Sequence, residues 1–156
     1  EYERGFGTAG ESFWIGLKNL RALTSYPNNQ QALRIELRKA DGWQKTIVVD
    51  YKKFQVGSKK ENYKLTIDEY GGQGKDDALS DHKGADFSVK DSKTKPEEDC
   101  NGGILSGGWW FKRCNEANLN AYKLDFRLKT KPLPITWHIK GDTESYHKSY
   151  DKVEMK

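Results

Sequence analysis

Between Leu33 and Arg38 apolar and charged residues alternate without interruption: Leu33, Ile35 and Leu37 on one side, Arg34, Glu36 and Arg38 on the other. A period of two puts every apolar side chain on one face of an extended chain, so this stretch is a half-buried strand. Two more such runs follow. Thr46 to Val56 places Ile47, Val49 and Tyr51 on one face, then changes parity to Phe54 and Val56, which predicts a bulge or break near Lys52-Lys53. Tyr63, Leu65 and Ile67 mark the third strand, and Ala40-Asp41-Gly42 between the first two is a hairpin turn signal. Short polar connections between three strands point to an antiparallel meander, because parallel neighbours need long crossovers.

Around this meander the pattern changes. Glu11 to Thr24 reads as a helix: Ser12 can cap it, Phe13, Leu17, Leu20 and Thr24 share a face, and Trp14 and Leu23 flank that face. Ser25-Tyr26-Pro27-Asn28-Asn29 stops it, since proline disfavours helix at the residue before it. From Gly71 to Gly108 neither period persists, and Gly, Asp, Lys and Ser dominate. A connection that long is usually functional, or held by a metal or a disulfide. It ends in the dense aromatic run Gly107-Gly108-Trp109-Trp110-Phe111. Alternation returns at Tyr122 to Leu128, and Lys152 to Lys156 reads as a last strand with Val153 and Met155 on one face.

A chain of 156 residues with five Trp, eight Tyr and six Phe has the means to build one aromatic-rich core. Its net charge of +4 is mild and well mixed, so it does not point to nucleic acid. No apolar run reaches the ~20 residues of a membrane-spanning helix. The first residues, Glu1-Tyr2-Glu3-Arg4, do not form a signal peptide; a secreted protein with this start would be a mature or trimmed chain. No Asn-x-Ser/Thr acceptor for an N-glycan occurs. The two cysteines, Cys100 and Cys114, fit a local disulfide, and they also fit two buried free thiols.

Catalytic motifs are missing. Gly5-Phe6-Gly7-Thr8-Ala9-Gly10 matches the dinucleotide fingerprint in letters, but no strand precedes it, so it reads as a glycine turn leading into the first helix. There is no phosphate-binding loop and no nucleophile elbow around Ser106, and His82, His138 and His147 lack zinc spacing. A binding module therefore leads an enzyme.

Read in order, the motifs resemble one family. Gly5-Phe6-Gly7 with Glu11-Ser12-Phe13-Trp14-Ile15-Gly16-Leu17 is similar to the helix entry of the fibrinogen C-terminal, or fibrinogen-related, domain. Tyr51-Lys52-Lys53-Phe54-Gln55-Val56-Gly57 and Asp77-Ala78-Leu79-Ser80-Asp81-His82-Lys83-Gly84 match further pieces, as does Phe87-Ser88-Val89-Lys90-Asp91. The most specific piece is Cys100, then Gly107 to Cys114, then Asn118-Leu119-Asn120; Trp137 and Val153-Glu154-Met155-Lys156 are similar to the family's closing residues.

The resemblance implies an α+β fold: a twisted antiparallel central sheet with short flanking helices and a loop-rich binding subdomain. Residues 1–70 and the C-terminal strand would form the first part and residues 71–150 the second. It implies a Cys100–Cys114 disulfide, an extracellular location, and a ligand site at Trp110, Phe111, Arg113, Cys114 and Asn115. There the Arg113–Cys114 peptide bond would be cis, and its amides would face a pocket for acetyl groups. Trp109 is expected in the core, while Trp110 and Phe111 fit core packing and a pocket wall equally.

Three departures stand out. The family's small N-terminal subdomain is absent from these residues. Asp91 matches the first acid of the family's calcium pair, but Lys93 stands where the second belongs, and an ammonium repels the ion; calcium is disfavoured as a cofactor. Asn115 replaces a frequent histidine, and residues 123–134 are Lys-rich with Pro132 and Pro134 where a Gly-rich loop with aromatics is usual. The leading expectation is a secreted, non-catalytic recognition module that binds a glycan or acetylated ligand in innate defence. The alternative is a protein-interaction domain of an adhesive or signalling extracellular protein. Neither nucleic acid nor membrane is an expected partner; homo-oligomerisation stays open, since family members often associate through regions upstream of this domain. Lys123, Arg127, Lys129 and Lys131 on one strand face could hold acidic glycosaminoglycans, although a solvated face explains them more simply.

Overall fold

A computed structural model describes residues 1–25, 30–39, 42, 44–72, 75–89, 106–112, 116–121 and 134–156. The central element is an antiparallel sheet of four strands: β3 (Gln31–Arg38), β4 (Ile47–Val56), β5 (Leu65–Tyr70) and β8 (Lys152–Met155), in the order β5-β4-β3-β8. Leu33, Ile35 and Leu37 are buried and Arg34 and Arg38 exposed, so the period of two is realised on β3 as read. On the solvent face Glu36 gathers Arg34, Arg38 and Lys156 at 3.2, 2.9 and 3.2 Å.

The parity change in β4 is real. Gln31 pairs with Phe54 and Leu33 with Tyr51, so two steps on β3 face three on β4, with Lys52-Lys53 at the bulge. β5 copies the shift: Ile67 pairs with Phe54 and Tyr70 with Tyr51. It does so with Glu69 at φ 53°, a left-handed turn of the backbone that puts Ile67 and Tyr70, three residues apart, on the core side. The Lys53 ammonium lies 2.7 Å from the Glu69 carboxylate across this irregularity.

The N-terminal reading needs correction. No helix begins at Glu11 and Ser12 is not its cap. β1 (Phe6–Gly7) and β2 (Phe13–Trp14) form a two-stranded ladder, and α1 spans only Leu17–Thr24. The spacing of Phe13 with Leu17 is a coincidence, for Phe13 is 57 % exposed. Gly16 sets the boundary: its φ of 99° is closed to side chains, and a Cβ there would lie 2.6 Å from the Arg4 carbonyl carbon. The Gly5–Gly10 motif thus forms a hairpin. α1 keeps Leu17 and Thr24 against the sheet, where Thr24 Oγ accepts the Val56 N–H at 3.0 Å.

Beyond β5 the chain makes short turns and a second ladder, β6 (Ser88–Val89) with β7 (Gly108–Trp109). Asp77 builds the first turn. Its Oδ1 accepts from the amides of Leu79 and Ser80 at 3.1 and 3.0 Å, and from the Tyr51 hydroxyl at 2.7 Å. Tyr51 is fully buried, and burial together with the Asp77 carboxylate pushes its phenol far above the ordinary range. Asp77→Ala would strand that hydroxyl and the partly buried Leu79 amide; a loss of about 2–4 kcal/mol in urea unfolding is expected. The expected hairpin residues Ala40 and Asp41 and the expected strand Tyr122–Leu128 lie outside the described residues.

Candidate functional site

The aromatic run after β7 enters the core. Trp109, Trp110 and Phe111 are all buried. The Trp110 ring sits among Trp109, Phe87, Trp14 and Phe54 at centroid distances of 5.1, 5.2, 6.3 and 6.5 Å. Such rings contribute mainly by buried area, with edge-to-face geometry adding a modest increment. The contact with Phe54 at 89° and that with Phe87 at 86° are edge-to-face. The indole N–H of Trp110 donates to the Tyr63 carbonyl at 2.7 Å, and its own carbonyl lies 2.7 Å from His82 Nδ1.

His82 is the organising residue. It is fully buried, and its Nε2 accepts the Ala117 N–H at 3.2 Å. An imidazole nitrogen that accepts carries no proton, so the proton resides on Nδ1 and donates to the Trp110 carbonyl. Desolvation is the largest influence on this ring and holds it neutral, below the ordinary imidazole range. The nearby Lys112 acts the same way, while the Trp110 carbonyl, Asp81 and Asp77 oppose it. Glu116 Oε2 lies 3.5 Å from Nε2.

One imidazole therefore ties together both ends of the segment 110–117. The far end is fixed again by a bridge between Asn118 and Thr136, with N–O distances of 3.1 and 3.3 Å, and by the Thr136 hydroxyl, which donates to the Glu116 carbonyl at 2.6 Å. Asn118 and Asn120 donate from their side-chain amides to the carbonyls of Ser106 and Gly108, at 3.0 and 2.9 Å. Lys112 Nζ donates to the Lys83 carbonyl at 3.0 Å. These bonds hold residues 110–112 and 116–118 in a fixed frame.

Of the site residues expected from sequence, Trp110 and Phe111 lie in this frame, and both support it from the core side. Arg113, Cys114, Asn115, Cys100 and Asp91 lie outside the described residues, as do Lys93 and residues 123–131. The disulfide and the Arg113–Cys114 bond geometry therefore remain expectations of the resemblance. Among the described residues no group of three or more His, Cys, Asp or Glu could hold a metal ion, and no helix is long and apolar enough to cross a membrane. Sequence reasoning missed His82 as a site residue. Its signal was the segment from Asp77 to Gly84, in which Asp77 builds the turn that delivers the imidazole.

Known proteins resemble this chain along its length. A family model described as the C-terminal globular domain of fibrinogen beta and gamma chains matches residues 1–156. The chain is 32 % identical over 155 residues to Ryncolin-4 of Cerberus rynchops, covering 99 % of this chain and 43 % of that protein. It is 38 % identical to Tenascin-R of Gallus gallus over 157 residues, covering 100 % of this chain and 11 % of that one. With Angiopoietin-1 of Canis lupus familiaris it shares 38 % identity over 151 residues, covering 93 % and 29 %. The chain thus spans less than half the length of each of these relatives. Among solved structures, the fibrinogen-like globe domain of human ANGPTL2 superposes with a TM-score of 0.78 at 26 % identity, covering 99 % of this chain and 69 % of that one.

Proposed function

Because the chain belongs to the family of fibrinogen C-terminal globular domains, whose members are non-catalytic recognition modules, we propose that it binds N-acetylated sugars, or other acetylated groups, outside the cell. The binding element is the stretch from Trp110 to Ala117, with Arg113, Cys114 and Asn115 as its contact residues. The observation that carries this reading is the double grip of His82 on Trp110 and Ala117. A short segment fastened at both ends by buried bonds loses little freedom on binding, which favours affinity for a small ligand. A Cys100–Cys114 bridge would fasten the same segment a third time.

Calorimetric titration with N-acetylglucosamine, and with glucose as the control lacking the acetyl group, tests the proposal. Saturable binding of the acetylated sugar alone is expected, and no binding of any acetylated ligand would sink it. Binding is expected to persist in excess EDTA, because Lys93 occupies the place of the second calcium acid. Loss of binding in EDTA, restored by calcium, would reject that part.

Asn115 in the place of the frequent histidine, with the Lys-rich stretch 123–134, favours a second reading as a protein-interaction domain. Retention of a protein partner in excess N-acetylglucosamine is the result that would select it.

A further inference from the structure

Two consecutive residues without the freedom of glycine, Asn62 and Tyr63, occupy the left-handed region, both with φ of 51°. Asparagine enters that region readily, whereas a tyrosine enters it only where the surroundings hold it. The hold is visible. Tyr63 N–H donates to the Ser58 carbonyl at 2.9 Å, Lys64 N–H donates to Glu61 at 3.1 Å, and Glu61 caps the Lys59–Glu61 turn through Ser58. The Asn62 side chain donates to Asp86 at 3.1 Å.

The outcome of this tight turn is directed at one side chain. Tyr63 turns its carbonyl inward, where it accepts the Trp110 indole N–H in a fully buried bond. The Asn62 carbonyl accepts the Phe87 N–H at 3.0 Å, and the Phe87 ring stands at 86° against the ring of Trp110. Both residues thus reach Trp110, one through a carbonyl and the other through Phe87. A right-handed or extended backbone at this pair would turn the Tyr63 carbonyl away and leave a buried indole N–H without an acceptor.

The geometry points to Asn62 and Tyr63 as positioning residues for the recognition segment: their left-handed backbone sets the ring plane of Trp110, and through it the course of Phe111 and Lys112. This inference rests on the reading of that segment as the binding element. The turn lies between β4 and β5, so the indole of Trp110 adds a direct link between the sheet and the binding loops.

The Trp110 indole N–H signal in a nitrogen-15 NMR spectrum reports the coupling directly, and its absence from Trp110→Phe identifies it. Asn62→Gly keeps the left-handed backbone accessible, Asn62→Val opposes it, and both remove the bond to Asp86. Asn62→Val is expected to shift the indole signal and speed its exchange by about tenfold or more. Capture on N-acetylglucosamine resin should fall about fivefold or more with it. Asn62→Gly should keep both near wild type, and Trp110→Phe should fold and lose capture to the extent of Asn62→Val. An unchanged indole signal in Asn62→Val would overturn the inference, as would equal losses in the glycine and valine variants. If Asn62→Val does not fold, full capture by folded Trp110→Phe overturns it. Should wild type ignore the resin, the proposed function fails, while the indole signal still decides the positioning role.

Discussion

His82→Ala is expected to lower stability by about 3–5 kcal/mol and to abolish ligand capture. The change strands two buried groups, the Trp110 carbonyl and the Ala117 amide, each costing about 1–3 kcal/mol, and leaves a cavity where a fully buried ring stood. Urea unfolding measures the first effect and resin capture the second. A midpoint shift worth less than about 1 kcal/mol would mean that the imidazole does not hold the segment.

The same residue predicts the acid response of the wild type. The folded protein keeps His82 neutral by burial, below the value of the unfolded chain. His138 is held down to about 4 by burial; its ring packs on Tyr146 at 4.5 Å and its Nδ1 has no partner among the described residues. Below pH ~6.5 the unfolded chain takes up protons on both rings and the folded one does not, so their contribution is complete above that pH and is lost as pH falls. His138 alone accounts for about 3 kcal/mol by pH 4. Glu36, Glu61, Asp68 and Glu154 are held below the ordinary carboxylate range by lysines, arginines or a serine, so their loss begins only near pH 4.5. Between pH 6.5 and 5 the histidines therefore dominate. The unfolding midpoint should fall in that window, with a shallower slope in His82→Ala, and a flat midpoint would refute the assignment.

Gly107→Ala is expected to be severely damaging, at about 4 kcal/mol or more. Gly107 has φ 73°, and a Cβ there would lie 2.0 Å from the Asn120 carbonyl oxygen and 2.8 Å from its carbon. Both are backbone atoms, so no side chain can swing aside. Moving them apart would also break the amide bonds that Asn118 and Asn120 make to Ser106 and Gly108. Gly42, with φ 69° and nothing within 4 Å among the described residues, is the control for strain without collision. Gly42→Ala should cost only about 1 kcal/mol. Equal melting temperatures for the two variants would show that crowding at Asn120 does not matter.

What could be read from the chain divides by the range of the contacts involved. β3, the bulge at Lys52-Lys53, β5 from Leu65 onward and β8 were legible because burial on a pleated strand leaves a period of two in the neighbouring letters; Tyr63, expected as the first residue of the third strand, is buried in the left-handed turn before it instead. The helix starts later than its apolar spacing predicts because Phe13 and Trp14 pair with Gly7 and Phe6, a partnership that leaves no helical or strand period behind. The site frame was hidden for the same reason. His82 meets Trp110 and Ala117 across 28 and 35 positions, and Trp110 meets Tyr63 across 47. No local rule marks a histidine as the clamp of a segment so far away. The tryptophans announced a core, and their spacing could not say which indole would find a carbonyl.

The placement of β8 beside β3 has a consequence for synthesis. Glu36 and Lys156 touch across 120 positions of chain, and the Arg34 and Lys156 backbones exchange two bonds of 2.9 Å. A ribosome adding residues in order finishes β3, β4 and β5 long before it reaches Lys152. Throughout that interval the outer edge of β3 displays unmet amides and carbonyls, open to any extended segment nearby. The nascent domain must wait for its distant closing strand, and such distant closure is slow. The charges of Arg34, Glu36 and Arg38 on the solvent face beside that edge are well placed to keep it from pairing with strangers until β8 arrives.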